Sequence, residues 1–203
     1  MKVTTKMQKR QAFFLILLAA AAALPAFAYE YPLSSYAIRE AFLLGTGTRS
    51  HDADFYSGYW QSLKMPKERA VGSLVTIETP YLYVAEHSRD TPNYTAQEAI
   101  KDFLNRPMVF RVRVDVYFEA PAAGDPKPVV VRLIQDKKEI SSQSITRWPL
   151  VRFRDENTRE ESAGEHVQIE WSGDKIKPSD LTIEVDAPDG EHAEATFDMA
   201  RVR

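Results

Sequence analysis

Residues 108–119 alternate between two faces, with Val109 the one apolar residue out of step. Met108, Phe110, Val112, Val114, Val116 and Phe118 fall on one side of an extended chain, and Arg111, Arg113, Asp115, Tyr117 and Glu119 on the other. A strand sends successive side chains to opposite faces, whereas a helix would scatter this pattern around its circumference. The segment therefore reads as a β-strand with one dry and one wet face, as in an antiparallel sheet solvated on one side.

Other segments follow the same period. Val167, Ile169 and Trp171 alternate with polar residues, as do Leu181, Ile183 and Val185. Strands are also expected near 144–153 and 193–202, with turns at Gly164, Ser172-Gly173-Asp174, Pro178 and Pro188-Asp189-Gly190. Residues 121–128 break the chain, so 129–135 is expected to pair back on 108–119 as a hairpin. Residues 74–78 are β-rich, and 81–85 are expected to continue that strand after Pro80. The stretch 154–166 is the most hydrophilic and reads as a long exposed loop.

Residues 29–66 read as helical. Ser34 or Ser35 can cap a first helix with Ile38, Ala41 and Phe42 on one face, ended by Gly45 and Gly47 in the left-handed conformation. A second helix from Ser50 or Asp52 would carry Phe55, Tyr59 and Leu63 as a stripe, with Tyr56 and Trp60 beside it and Pro66 after its end. The pair suggests an αα-hairpin. Thr95-Ala96-Gln97-Glu98 has the capping-box form, opening a helix near 95–105 with Ala99, Ile100, Phe103 and Leu104 as its apolar stripe. The expected fold class is α+β: mainly an antiparallel β-sandwich, Ig-like in general architecture, with two or three N-terminal and covering helices.

The first 28 residues read as a secretory signal peptide. Lys2, Lys6, Lys9 and Arg10 precede an apolar run and an alanine tract, then Pro25 and Ala26-Phe27-Ala28. The run is shorter than the ~20 residues a spanning helix needs. Cleavage is expected before Tyr29, leaving 29–203 as one exported domain, periplasmic or extracellular, with no membrane span. That part holds 22 basic against 29 acidic residues, a balance of −7, which argues against nucleic acid as a partner. The chain has no cysteine, which excludes disulfides, a thiol nucleophile and cysteine-ligated metal.

Several constellations invite a chemical reading. His51-Asp52-Ala53-Asp54 offers a histidine and two carboxylates for a metal, although acids at a helix start serve the helix dipole equally well. Glu86-His87-Ser88-Arg89-Asp90 gathers hydrolase-like groups, but adjacent residues point apart and there is no G-x-S-x-G elbow. Asp155, Glu156, Glu160, Glu161 and Glu165 would suit calcium, yet the loop lacks the EF-hand pattern and carries Arg154 and Arg159 as internal counter-charges. Asn93-Tyr94-Thr95 is a glycosylation sequon. No catalytic, metal or cofactor site is expected from these residues. The binding surface is expected at Arg111, Arg113 and Tyr117, with Arg132 on a hairpin partner, and at Tyr81 and Tyr83 on the preceding strand. Exposed Tyr56, Tyr59, Trp60 or Trp148 would instead suit a sugar.

Residues 31–41 (YPLSSYAIREA), Glu78-Thr79-Pro80-Tyr81 through Ser88-Arg89 and, more loosely, Arg111-Val112-Arg113-Val114 resemble a group of small exported bacterial proteins of uncharacterised function. The resemblance implies a bacterial envelope setting and carries no catalytic signature. The expectation is a non-enzymatic exported interaction module of the cell envelope, with an envelope protein or glycan as partner. An envelope-polymer hydrolase, with His51 or His87 beside Asp52, Asp54 or Glu86, or a carbohydrate-binding domain are the alternatives.

Overall fold

A computed structural model describes residues 28–47, 53–65, 73–118, 127–153 and 160–203, without the side chains of 53, 54, 152, 153 and 160–163. The expected signal peptide up to Phe27, the pair His51 and Asp52, Pro66, and the loop residues Asp155 and Glu156 lie outside the described residues. The rest forms an α+β fold with two antiparallel sheets.

Helix α1 spans Ser35–Thr46. The Ser34 hydroxyl accepts the Ala37 amide at 3.1 Å, and Ala37, Ile38, Ala41 and Gly45 are buried. Gly45 does not end the helix. It lies inside it, where a Cβ would stand 2.0 Å from the Ala85 carbonyl oxygen, so its absent side chain permits a close helix–helix approach. The terminal Gly47 is extended (φ −91°, ψ 175°) and uses no left-handed turn.

The expected αα-hairpin is not formed. A five-residue helix α2, Ala53–Ser57, gives way to strand β1, Trp60–Leu63, which pairs antiparallel with β2, Ser73–Glu78. Tyr59 and Leu63 reach the core from a sheet edge rather than from a helix face. The expected strand at 81–85 is also overturned, because helix α3, Pro80–Asp90, occupies it. Thr79 caps this helix by accepting the Leu82 amide at 3.1 Å, and Pro80 takes the first helical position, where a missing amide hydrogen costs nothing. Helix α4, Ala96–Phe103, starts on the expected capping box, with Thr95 and Glu98 each accepting the other's amide. Buried residues of α1, α3 and α4 share their own apolar cluster, including Ile38, Tyr81, Val84 and Phe103.

The first sheet has the order β1-β2-β3-β7-β6 and the second β5-β4-β8-β9. Strand β3, Val109–Tyr117, keeps the alternation read from the sequence, and Phe110, Val112, Val114 and Val116 are fully buried. Strand β4, Val130–Gln135, makes no hairpin with β3. It pairs with β5, Lys138–Glu139, and with β8, Asp180–Asp186, in the other sheet. Strand β6, Ser144–Phe153, is the outer strand of the first sheet; it contains Pro149 and a register shift between Leu150 and Val151. Strand β7, Glu160–Ser172, lies between β3 and β6, so 160–166 is strand and not loop. Strand β9, His192–Asp198, closes the second sheet and stops before the expected end at 202.

One core draws on both sheets. Val75, Val112, Val167 and Trp171 of the first join Leu133, Ile183, Val185 and Phe197 of the second. The Trp171 indole donates to the Ile140 carbonyl at 2.8 Å, which satisfies its one polar atom. No helix among the described residues is long and apolar enough to cross a membrane.

Candidate binding face

The period of two that buries Val112 and Val114 turns their neighbours outward. Register then sets what lies side by side on the outer face of the first sheet. Glu78, Arg111, Glu170 and Ser144 form one row, and Trp60, Thr76, Arg113, Gln168 and Thr146 the next. Ser62, Leu74, Asp115, His166 and Trp148 form a third, and Tyr117 lies opposite Gly164 at one end.

The first row is an ion network. Arg111 donates from Nε and Nη2 to Glu170 Oε1 at 2.9 and 2.8 Å and pairs through Nη1 with Glu78. Arg113 pairs with the second oxygen of Glu78. Ser144 donates to Glu170 at 3.1 Å. Burial pushes the Glu78 carboxyl above its ordinary range, against the opposing pull of Arg111 and Arg113. Arg111 is therefore a tie within the sheet, while Arg113, with 41% of its side chain exposed, reaches solvent.

Two indoles frame the face. Trp60 on β1 is 47% exposed and Trp148 on β6 is 44% exposed. Four strand spacings of about 4.8 Å set them roughly 20 Å apart across the sheet. The Trp148 ring lies 5.1 Å from that of His166, whose Nδ1 is 2.5 Å from Asp115 Oδ1, so the edge indole rests on an oriented imidazole.

The sequence brought Arg111, Arg113 and Tyr117 to one face, and they lie there. Arg132 is elsewhere: it pairs with Glu184 at 3.0 Å and Asp186 at 2.8 Å in the second sheet. Tyr81 and Tyr83 sit on helix α3, not on a strand. Tyr81 is buried, with the Arg203 guanidinium 5.2 Å from its ring centroid, which removes it as a contact residue. Tyr83 is half-buried and lines a cavity of about 250 Å³ where the helices meet the row of Glu78 and Arg111. A second cavity, of about 270 Å³, opens at the far end between Phe118, Arg147, Trp148 and Glu165.

Sequence reasoning missed Trp60, His166, Gln168, Glu78 and Glu170 as members of this face. Glu170 alternates with Ile169 and Trp171, so its outward orientation was readable. What the sequence lacked was the pairing partner that puts it beside Arg111.

The remaining constellations do not converge. His87 packs against the rings of Tyr83, Tyr94 and Phe103, and the Ser88 hydroxyl donates to the Val84 carbonyl at 2.7 Å. Of the candidate sugar platform, Tyr59 is buried and Tyr56 half-buried, which leaves Trp60 and Trp148. Among the described residues, no three histidine or acidic side chains gather as for a metal ion. No family model matches the chain, and neither does any curated protein or any solved structure.

Proposed function

We propose that the chain is a non-enzymatic exported interaction module of the cell envelope, and that it binds a protein partner on the outer face of its five-stranded sheet. The observation that carries this reading is the pair of exposed indoles on either side of the solvent-reaching Arg113. The few residues that dominate binding energy at protein interfaces are enriched in tryptophan, tyrosine and arginine, each of which combines a large contact area with a polar handle. The export reading rests on the basic, apolar and small-residue pattern of residues 1–28.

The scaffold reading is a β-sandwich of immunoglobulin-like order. With β2 taken as strand A, the first sheet runs A-B-E-D and the second C′-C-F-G, with β1 as an added edge strand. The single core shared by both sheets supports face-to-face packing.

The test is an affinity pull-down from envelope extract with the chain from Tyr29, comparing the wild type with Trp60→Ala, Trp148→Ala and Arg113→Ala. Glu194→Ala on the second sheet serves as control. A stoichiometric protein lost with the first three and kept with the control supports the reading. A partner held equally by all five chains defeats it. The exposed pair Trp60 and Trp148 also favours a second reading, glycan binding, since indole faces stack on sugar rings. Retention on peptidoglycan without a protein partner would select it.

A further inference from the structure

The cavity at the helix–sheet junction has an uneven lining. One wall is apolar: Tyr83 from α3, Phe103 from the end of α4, and Pro107 and Met108 from the connection into β3. The floor is the sheet row of Glu78 and Arg111 with Val109 beside it. The third charged lining residue, Arg106, stands on the wall.

Local structure fixes where Arg106 stands. Helix α4 stops at Phe103, and Asn105 takes the left-handed conformation (φ 59°) that asparagine tolerates better than most residues. This turn brings the Arg106 amide to 3.2 Å from the Phe103 carbonyl oxygen and its guanidinium to 5.7 Å from the Phe103 ring centroid. The cation is held against an aromatic face at the edge of the cavity. Among the described residues, Arg106 has no carboxylate partner within ion-pair distance.

The charges do not cancel. Glu78 is answered within the sheet by Arg111 and Arg113, and Arg111 also holds Glu170. Glu86 acts on Glu78 but does not line the cavity. The lining itself has two guanidinium groups against one carboxylate. At about 250 Å³ the cavity has room for one small molecule.

We propose that this cavity is a binding site for a small organic monocarboxylate with an apolar body, its carboxylate on Arg106 and its body against Phe103, Met108 and Val109. The planar guanidinium matches a carboxylate through two parallel hydrogen bonds. The apolar wall rewards a ring or short acyl chain and gives inorganic anions nothing. The site requires no macromolecular partner and stands independently of the sheet-face reading.

Phenylacetate is the probe, with phenylacetamide as its neutral counterpart and inorganic phosphate as the bare anion. Each is titrated into the isotope-labelled chain and followed by amide NMR. Phenylacetate is expected to shift the amides of 103–106, 108, 109 and Tyr83 saturably, and to bind at least about tenfold more tightly than phenylacetamide. Arg106→Gln, a change at an exposed residue, is expected to abolish that difference. Val109→Phe, which fills the cavity without altering charge, is expected to abolish binding while the spectrum stays folded. Equal binding of acid and amide, equal competition by phosphate, or an unchanged titration in both variants would each overturn the assignment, as would no saturable shift at about 10 mM.

Discussion

The Tyr59 hydroxyl donates a 3.0 Å hydrogen bond to the carbonyl oxygen of Arg203, 144 positions along the chain. The Thr79 hydroxyl donates to the same oxygen. The Arg203 side chain pairs with Glu40 of α1 and lies over Tyr81 of α3. One residue therefore joins the strand edge, the helix α3 cap and the helical layer. Arg203→Ala is expected to cost about 1–2 kcal/mol, from a mostly buried ion pair and a cation–π contact. Tyr59→Phe should cost about 1 kcal/mol. Urea unfolding measures both; a loss well below these values would mean that the helical layer is held by other contacts.

Glu78 gives a pH signature. Its folded carboxyl sits above the ordinary range because it is buried, while in the unfolded chain it titrates near pH ~4.3. Between those two values the folded state holds a proton that the unfolded state has released. Its contribution to stability therefore increases as pH falls through the folded value and levels off below the unfolded one. Glu78→Gln removes this titration. The wild type is expected to gain stability on the glutamine variant between pH 7 and pH 4; a constant difference would contradict it.

Gly45→Ala should be costly although alanine is the better helix former. Its methyl group would collide with the Ala85 carbonyl and force α1 and α3 apart. Overpacking of this kind costs about 1–3 kcal/mol, more than the ~1 kcal/mol that helix propensity returns. A thermal midpoint at or above wild type would show that the helices can separate freely.

Two of the three tryptophans, Trp148 and Trp171, should divide by burial. Trp148→Ala is expected to change stability by less than about 1 kcal/mol, since nearly half of the residue is exposed. Trp171→Ala should cost about 3–5 kcal/mol, because it empties a fully buried site and leaves the Ile140 carbonyl without its donor. Equal losses at the two positions would remove the case for Trp148 as a surface group.

The capping box of α4 is separable from the sheets. Thr95→Ala should cost about 1 kcal/mol through loss of the bond to the Glu98 amide. Hydrogen exchange should speed up first at the amides of 97–99.

Much of the secondary structure could be read locally. The alternation of 108–119 and 181–185, the Ser34 cap and the Thr95 capping box each depend on near neighbours, and each appears in place. The failures have two physical origins. Phe55, Tyr59 and Leu63 are spaced by four, which suits one face of a helix and equally one face of a strand, so the spacing alone could not arbitrate. At 79–81 the helix signal was present, Thr79 as cap and Pro80 at the first position, but the aromatic and β-branched content of 81–84 suggested strand instead. Partner choice is the second origin. Nothing near β4 encodes that it pairs with β8 rather than β3, and the ion network of the candidate face depends on such pairings. Arg111 and Arg113 could be placed on a wet face from sequence, but their carboxylates arrive from positions 33 to 59 residues away.

The rim strand β6 has a further consequence. Pro149 deletes one amide hydrogen, and the shift at Leu150 and Val151 breaks the even spacing of the rest. Both features interrupt the even ladder that a second copy would need along this edge, as proline and bulges do on natural edge strands. Ile145, Trp148 and Val151 are thus exposed on a margin poorly suited to strand addition.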